Sequence, residues 1–237
     1  MNSVQRERRD AVEIVRLDRP DARNAMNTAL LDELLAALDE LVADAELRAL
    51  VLSTTSEAAL SAGADVREEL DHAGGVARME RFARVYAALE AFPAPTVAVC
   101  VGNVVGAGAE VAAACDLRVA GENLKLAWAG GRLGVPVGPA RLVPLIGLSR
   151  AKELILTGRV VGAEEAERIG LVHRVTPPAE AEAAAIELAD AASQGPPEAM
   201  RGLKAMFRDF EHTAERVALE NEFLIEFQRH GAGLPRR

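Results

Sequence analysis

The stretch Val101–Ala120 contains the residues whose types and spacing best suit chemistry. A buried strand is predicted to end at Gly102, a turn lined by glycine and alanine follows, and a helix begins near Gly106. The first N–H groups of a helix lack intrahelical partners and carry the positive end of its dipole. Glu110 lies three residues after Ala107, on the same helical face and one turn deeper. This pattern predicts an oxyanion-binding turn with a carboxylate behind it that can act as general base or acid.

Two other interpretations fit the same stretch. Residues 106–108 could open a dinucleotide-binding fingerprint, but Val111 stands where that fingerprint needs glycine. Tight packing of a helix on a sheet explains the small residues without any function, and a solvent-facing side chain would explain Glu110. On these residues alone, a chemical role and a structural role are equally well supported.

A second turn of small residues, Ser61–Asp65 (SAGAD), also follows a predicted buried strand and precedes a charged, helical segment. Taken alone, it is typical of an ordinary turn in which Asp65 starts a helix. Ligands, however, collect at the carboxyl ends of neighbouring strands in open α/β sheets. Two such turns after successive parallel strands therefore predict that one N–H from each turn meets at a single oxygen.

Strand and helix patterns alternate over the first part of the chain, which predicts βαβ units and a mostly parallel sheet covered by helices. After about residue 138 helical patterns dominate. We therefore predict an α/β core over 1–175 and a helical C-terminal region over 176–237. The predicted strands are Val12–Leu17, Arg48–Leu52, Thr96–Val101 and Leu171–Val175; the predicted helices are 28–41, 76–90 after a break at Gly74-Gly75, 106–114, 148–157, 163–169, 178–193, 197–210 and 213–229.

Composition narrows the class of protein. The chain has 237 residues and a net charge of −9, which argues against nonspecific nucleic-acid binding because phosphate contacts need basic patches. No apolar run approaches the roughly 18 residues that a membrane span needs, and no apolar signal segment is visible. Cys100 and Cys115 lie in apolar surroundings and suggest buried thiols. The four histidines lack metal-ligand spacing. We expect a cytoplasmic protein with no nucleic-acid, membrane or metal partner.

Motifs along nearly the whole chain resemble the crotonase (enoyl-CoA hydratase/isomerase) family. They are LDRPDARNAMN at 17–27, SAGAD at 61–65, GAGAE at 106–110 with CDLRVA at 115–120, and ILTG at 155–158 followed by AEEAERIGLV at 163–172. The resemblance implies a crotonase-like ββα spiral core with a helical C-terminal part. It also implies an acyl-CoA thioester as substrate, no cofactor beyond that coenzyme A, and a homotrimer or dimer of trimers joined through the C-terminal helices.

The resemblance also implies roles for single residues. The amides of Ala64 and Ala107 are expected to hold the thioester oxygen, with Ala107 in place of a glycine that the family commonly has. Glu110 matches the first of two glutamates that the family's hydratases use. The residues implied to bind coenzyme A are Arg23, Ala25, Ala62, Asp65, Val66, Arg67 and Gly106, although for Arg67 a solvated surface charge explains the residue equally simply.

One position departs from the family pattern. Counted from Cys115-Asp116, the second glutamate falls on Gly130, which weakens the case for hydration because that reaction activates water and also handles the α-carbon proton. Trp128 beside it is either a wall of the acyl pocket or part of the core. Arg132 either recognises a substrate carboxylate or lies on the surface. The loop after Leu133-Gly134 is shorter than in the family, so the acyl pocket is expected to be reshaped.

Two functions of different classes remain. The first is an enzyme that stabilises a thioester enolate, with hydration of a 2-trans-enoyl-CoA to 3-hydroxyacyl-CoA as the main expectation and isomerisation, decarboxylation or thioester hydrolysis as rivals. The second is an acyl-CoA binder without catalytic activity. Gly130 favours the second function, and Glu110 favours the first.

Overall fold

A computed structural model describes residues 2–231 and 233–234. Its main sheet has six strands in the order β1-β2-β3-β5-β7-β9, and a second sheet has three in the order β4-β6-β8. The strands are β1 (Val4–Arg9), β2 (Val12–Leu17), β3 (Ala49–Thr54), β4 (Ala59–Ser61), β5 (Thr96–Cys100), β6 (Asn103–Val105), β7 (Leu117–Gly121), β8 (Lys125–Ala127) and β9 (Arg174–Thr176).

Pairing in both sheets is parallel except between β1 and β2, which form an antiparallel hairpin. The prediction of a mostly parallel sheet is therefore confirmed. Strand β1 was not predicted, because its charged sequence VQRERR lies at the sheet edge with four of its six residues exposed or nearly so and shows no apolar alternation. The second sheet was also missed, since strands of three residues are too short to show a period.

The helices follow the predicted order, with one addition. They are α1 (Thr28–Val42), α2 (His72–Ala91), α3 (Ala107–Ala114), α4 (Pro139–Ile146), α5 (Leu148–Thr157), α6 (Ala163–Arg168), α7 (Ala181–Ala192), α8 (Pro197–Phe210) and α9 (Thr213–His230). Helix α4 was not predicted; Pro139 occupies its first turn, where the missing N–H costs nothing.

Two expectations about helix starts were wrong. Gly74 and Gly75 do not break the chain but lie in the first turn of α2, because the Asp71 side chain caps the helix by accepting from Gly74 N at 2.7 Å. A Cβ on Gly75 would lie 2.8 Å from Nε2 of Gln228, the end of a flexible side chain of α9. Asp65 does not start a helix either; the residues after it form a turn.

The main sheet is covered on both faces. Valines of β2, β3, β5 and β7 pack on one face against the alanines of α7, while α1, α2 and α3 cover the other face. Helix α9 packs along α2 of the same chain through Val217 and Leu224. Both cysteines are buried free thiols, as predicted. The division of the chain at residue 175 stays a prediction; α7, which lies beyond it, belongs to the packing of the sheet.

Candidate active site

The two small-residue turns lie side by side, because β4 and β6, which lead into them, are parallel neighbours. A Cβ on Gly63 would lie 2.9 Å from Val105 O, and one on Gly108 would lie 2.5 Å from Ser61 O. Both distances are shorter than real Cβ contacts allow, so the backbones approach each other only because both residues are glycine. The prediction that the turns meet is confirmed.

Each turn presents an unused N–H. Ala64 pairs with Met26, but the hydrogen bonds of this bridge run from Met26 N to Gly63 O (2.8 Å) and from Asp65 N to Met26 O (3.0 Å). Ala107 is the first residue of α3, so its N–H has no intrahelical acceptor. Over residues 2–231 and 233–234 neither N–H donates to a protein group, and both residues are half-buried. Two donors are thus available at one edge of the sheet.

The loop before α1 holds the first turn in place. The wholly buried Asn24 donates from Nδ2 to Thr54 Oγ1 at 2.7 Å and to Ala59 O at 3.1 Å. Its own carbonyl accepts from Ser61 Oγ at 2.7 Å, and Ser61 Oγ accepts in turn from Gly63 N at 3.1 Å. These roles of Asn24 and Ser61 were not predicted from the sequence. The available signal was a polar residue inside each of the first two motifs, and Asn24 adopts a left-handed φ of 52° that asparagine tolerates better than most residues.

The residues expected to bind coenzyme A surround this pair of turns. Arg23 and Ala62 are joined by a hydrogen bond from Ala62 N to Arg23 O at 2.9 Å. Asp65 is buried and braces the turn, because it accepts from Arg19 Nη1 at 3.1 Å and from Arg67 N at 3.1 Å. Their role in binding stays a prediction. Arg23, Ala62 and Arg67 are exposed, Val66 and Gly106 are half-buried, and Ala25 and Asp65 are buried.

Glu110 does not face solvent; its exposed fraction is 0%. Its Oε2 accepts from Arg141 Nη1 at 2.8 Å, whereas Oε1 has no hydrogen-bond partner in the described part of the chain. Burial raises the pKa of Glu110 to about 7; Arg141 opposes this rise and the nearby Glu220 carboxylate adds to it. The indole N–H of Trp128 lies close enough to lower that pKa as well, but not in hydrogen-bond geometry.

Arg141 lies at the centre of a buried polar cluster that the sequence analysis did not foresee. Its Nη1 also donates to Glu220 Oε1, and its guanidinium lies 4.5 Å above the ring centre of Tyr86. Glu90 approaches from α2, with Oε1 3.8 Å from Arg141 Nε. Three carboxyl groups therefore face one guanidinium. The members come from four different helices, so no local sequence pattern connects them.

Trp128, Gly130 and Arg132 lie at and beside the sequence position of the missing second glutamate. Gly130 is half-buried in a short 3-10 helix, and a Cβ there would meet Val135 at 3.4 Å, an ordinary contact. Trp128 is only 3% exposed and packs in the core. Its indole also lies near Glu110. Arg132 does not reach the site: its Nε donates to Thr157 O at 2.8 Å, at the end of α5. Arg132 is exposed on the surface, and recognition of a substrate carboxylate by this residue stays a prediction.

The cluster predicts a pH dependence of stability. Burial, opposed by Arg141 and Arg216, raises the pKa of Glu90 from 4.5 to about 7 in the folded protein. Folding then favours the protonated form, so this contribution is fully present below pH 4.5 and is lost as the pH rises through 7. Glu90→Gln removes this pH-dependent loss of stability, because glutamine does not titrate. We expect the variant to gain stability relative to the parent by on the order of 2 kcal/mol between pH 5 and pH 8.

Urea unfolding of both proteins at several pH values measures this difference directly. Comparison of the variant with the parent cancels the other titrating groups, which are common to both. Glu80→Gln, the same substitution at an exposed residue of the same helix, is the matched control, and it removes only an exposed ion pair with Arg229. A difference between Glu90→Gln and the parent that does not change with pH would contradict the raised pKa.

Comparison with known proteins agrees with this geometry. The family model described as enoyl-CoA hydratase/isomerase matches residues 7–231. The "probable enoyl-CoA hydratase echA8" of Mycobacterium tuberculosis is 36% identical over 235 residues, 95% of this chain and 91% of that protein. The short-chain-enoyl-CoA hydratase of Clostridium acetobutylicum is 34% identical over 206 residues, 85% of this chain and 79% of that one.

Solved structures lead to the same family. The crystal structure of an enoyl-CoA hydratase from Bacillus anthracis superposes with a TM-score of 0.84 at 28% identity and covers 99% of both chains. The fold is therefore the crotonase fold, as the sequence motifs predicted. The chain belongs to the enoyl-CoA hydratase/isomerase family. Over the described residues no helix is both long and apolar enough to cross a membrane.

Proposed function

We propose that this protein hydrates a 2-trans-enoyl-CoA to the 3-hydroxyacyl-CoA. The observation that carries the proposal is the juxtaposition of two unused amides, Ala64 and Ala107, with a buried carboxyl group, Glu110, one helical turn behind them. Membership of the hydratase/isomerase family supports the same reaction. The substrate brings its own coenzyme A, and no other cofactor is part of the proposal.

The chemistry follows from the position of these groups. The thioester oxygen accepts hydrogen bonds from the Ala64 and Ala107 amides, which stabilise the negative charge that develops there as an enolate forms. Each such donor contributes about 3 kcal/mol to the stability of the transition state. The oxygen of a water molecule bonds to C3 while Glu110 takes one of its protons, and the same carboxyl group delivers a proton to C2. A pKa of about 7 suits a group that both accepts and donates a proton near neutral pH.

Gly130 favours a second candidate, double-bond isomerisation. In that reaction one carboxyl group removes a proton from one carbon of the acyl chain and returns it to another, while the amides hold the same enolate. No water is activated, so a single glutamate suffices. The two candidates share substrate class, amides and Glu110, and differ only in whether water is consumed.

The first experiment mixes the purified protein with crotonyl-CoA and follows the ultraviolet absorbance of the enoyl thioester. Loss of absorbance, with 3-hydroxybutyryl-CoA as product, supports hydration. A rise in absorbance from a 3-enoyl-CoA, with crotonyl-CoA inert, supports isomerisation instead. If both esters are inert but bind saturably by calorimetry, the enzymatic proposal fails in favour of an acyl-CoA binder.

Restoring the second carboxyl group gives a further prediction. Gly130→Glu should raise kcat/KM for crotonyl-CoA about tenfold or more, because a second positioned acid–base group typically contributes 10²-fold or more and a Cβ at residue 130 makes only ordinary contacts. Gly130→Gln is the matched control of equal size and should show no rise. Equal behaviour of the two variants would mean that residue 130 is not the position of the second acid.

We further propose that the protein is cytoplasmic and forms a homotrimer or a dimer of trimers. The assembly is supported by the large apolar side chains exposed on the C-terminal helices, because exposed apolar patches mark protein–protein interfaces. These side chains are Leu203, Met206, Phe207 and Phe210 of α8 and Leu219 and Phe223 of α9. Sedimentation equilibrium of the purified protein tests the assembly, and a monomer would contradict it.

A further inference from the structure

The cluster around Arg141 leaves one oxygen of Glu110 free and holds the other. Nη1 of Arg141 bridges Glu110 Oε2 and Glu220 Oε1, while Glu110 Oε1 has no partner among the described residues. A purely structural buried ion pair gains most when every charged oxygen is satisfied, since an unpaired buried one costs stability. This arrangement instead fixes the orientation of the carboxyl group and keeps an oxygen available.

Glu220 is itself held firmly, although it comes from the C-terminal helix α9. Its Oε2 accepts from Ala140 N at 2.7 Å, in the first turn of α4, where a carboxylate is favoured by the helix dipole. The next residue, Asn221, donates from Nδ2 to Ala83 O at 3.0 Å and accepts from Arg141 Nη2 at 3.3 Å. Residues 220 and 221 thereby join α9 to α2 and α4 at the guanidinium that contacts Glu110.

We propose that Arg141 and Glu220 are positioning residues for Glu110, so that α9 completes an acid–base site that has glycine at the position of the second glutamate. The inference rests on the proposed function, because positioning matters only if Glu110 moves a proton. The guanidinium fork of Arg141 bonds both carboxylates through Nη1 and Asn221 Oδ1 through Nη2, a planar arrangement that a lysine ammonium does not reproduce. Glu220 sets where that fork lies.

The test measures kcat, KM and thermal stability for Glu220→Gln and Arg141→Lys with whichever enoyl-CoA the parent protein turns over. We expect kcat to fall about 10- to 100-fold in each, because small displacements of an acid–base group cost up to about 10²-fold. The dissociation constant of an unreactive acyl-CoA should stay within about threefold. Glu222→Gln, the same substitution at an exposed residue of α9, is the matched control and should leave kcat unchanged.

The pH profile separates positioning from a merely structural role. The groups that face Glu110 or its partner Arg141 are Glu220, Glu90, Tyr86 and the Trp128 indole. Because the Glu220 carboxylate raises the pKa of Glu110, Glu220→Gln should move the acidic limb of the kcat profile to lower pH, by about half a unit to one unit. Arg141→Lys keeps the positive charge, so it should lower kcat with a smaller shift of that limb.

The outcomes are distinguishable. If the parent protein turns over no enoyl-CoA, the proposed function fails. If the parent is active and Glu110→Gln is not, but Glu220→Gln and Arg141→Lys behave like Glu222→Gln, only the positioning proposal is overturned. It is also overturned if kcat, acyl-CoA affinity and melting temperature fall together with an unshifted pH limb. If Glu220→Gln does not fold, Arg141→Lys decides: a lower kcat with unchanged acyl-CoA affinity and melting temperature supports positioning, and a joint fall of all three overturns it.

Discussion

Glu110→Gln is expected to lower turnover of the preferred enoyl-CoA by about 10³-fold or more, while the dissociation constant for the ester changes less than about threefold. Glutamine can still hydrogen bond but accepts and donates no proton at these pH values, so the general acid–base contribution of about 10²- to 10⁴-fold is lost. With glycine at residue 130, no second carboxyl group at that position takes over. The amides of Ala64 and Ala107 remain, and under the proposed function they hold the thioester oxygen as before.

This substitution is also expected to preserve the fold. Glu110, Glu90 and Glu220 face a single guanidinium, so removing one carboxyl group relieves repulsion in a cluster where burial already raises the pKa of Glu90 and Glu110 to about 7. The amide oxygen of glutamine can still accept from Arg141 Nη1. Calorimetry with an unreactive acyl-CoA and a thermal melt therefore accompany the rate measurement. Unchanged turnover in a folded, ester-binding variant would remove Glu110 from the mechanism.

The sequence predicted the part of the site that local backbone geometry builds. Two turns of small residues, each after a buried strand, were sufficient to predict that one N–H from each turn meets at one edge of the sheet, and the structure confirms that the turns meet. The assignment of these amides to Ala64 and Ala107 came from the family resemblance. Close approach of the two backbones requires glycine at residues 63 and 108, and both glycines stand in the sequence motifs. The position of Glu110, one turn behind Ala107, follows in the same way from helix geometry.

The environment of Glu110 was not predictable in this way. Arg141 and Glu220 are separated from it by 31 and 110 residues, and each lies on a helix whose own pattern is explained by ordinary packing. Arg141 follows two prolines and belongs to the helix that the sequence analysis did not find. Long-range ion pairs depend on how helices pack against each other, and periodicity within one helix carries no information about its neighbour. The motif resemblance placed the helices in a known fold but assigned no role to these two residues.

Gly108→Ala is expected to have a large effect for a different reason. The new Cβ would lie 2.5 Å from Ser61 O and 3.0 Å from Ser61 Cβ, and because the first of these is backbone, the two turns must separate. Moving the Ala64 and Ala107 amides apart weakens their shared hold on the thioester oxygen, so we expect kcat to fall about 10²-fold. Overpacking should lower the free energy of unfolding by about 1–3 kcal/mol, offset in part by the better helix propensity of alanine.

Gly202→Ala is the matched control, because this glycine also lies in a helix, α8, but a Cβ there would meet nothing within 4 Å. It should raise the free energy of unfolding by up to about 1 kcal/mol and leave kcat unchanged. The two variants make the same chemical change, so urea unfolding and initial rates measured side by side isolate the contact between the turns. If Gly108→Ala behaved like Gly202→Ala, the two amides would not depend on backbone contact between Ser61 and α3. The shared oxyanion site would then lose its structural basis, whatever reaction the protein catalyses.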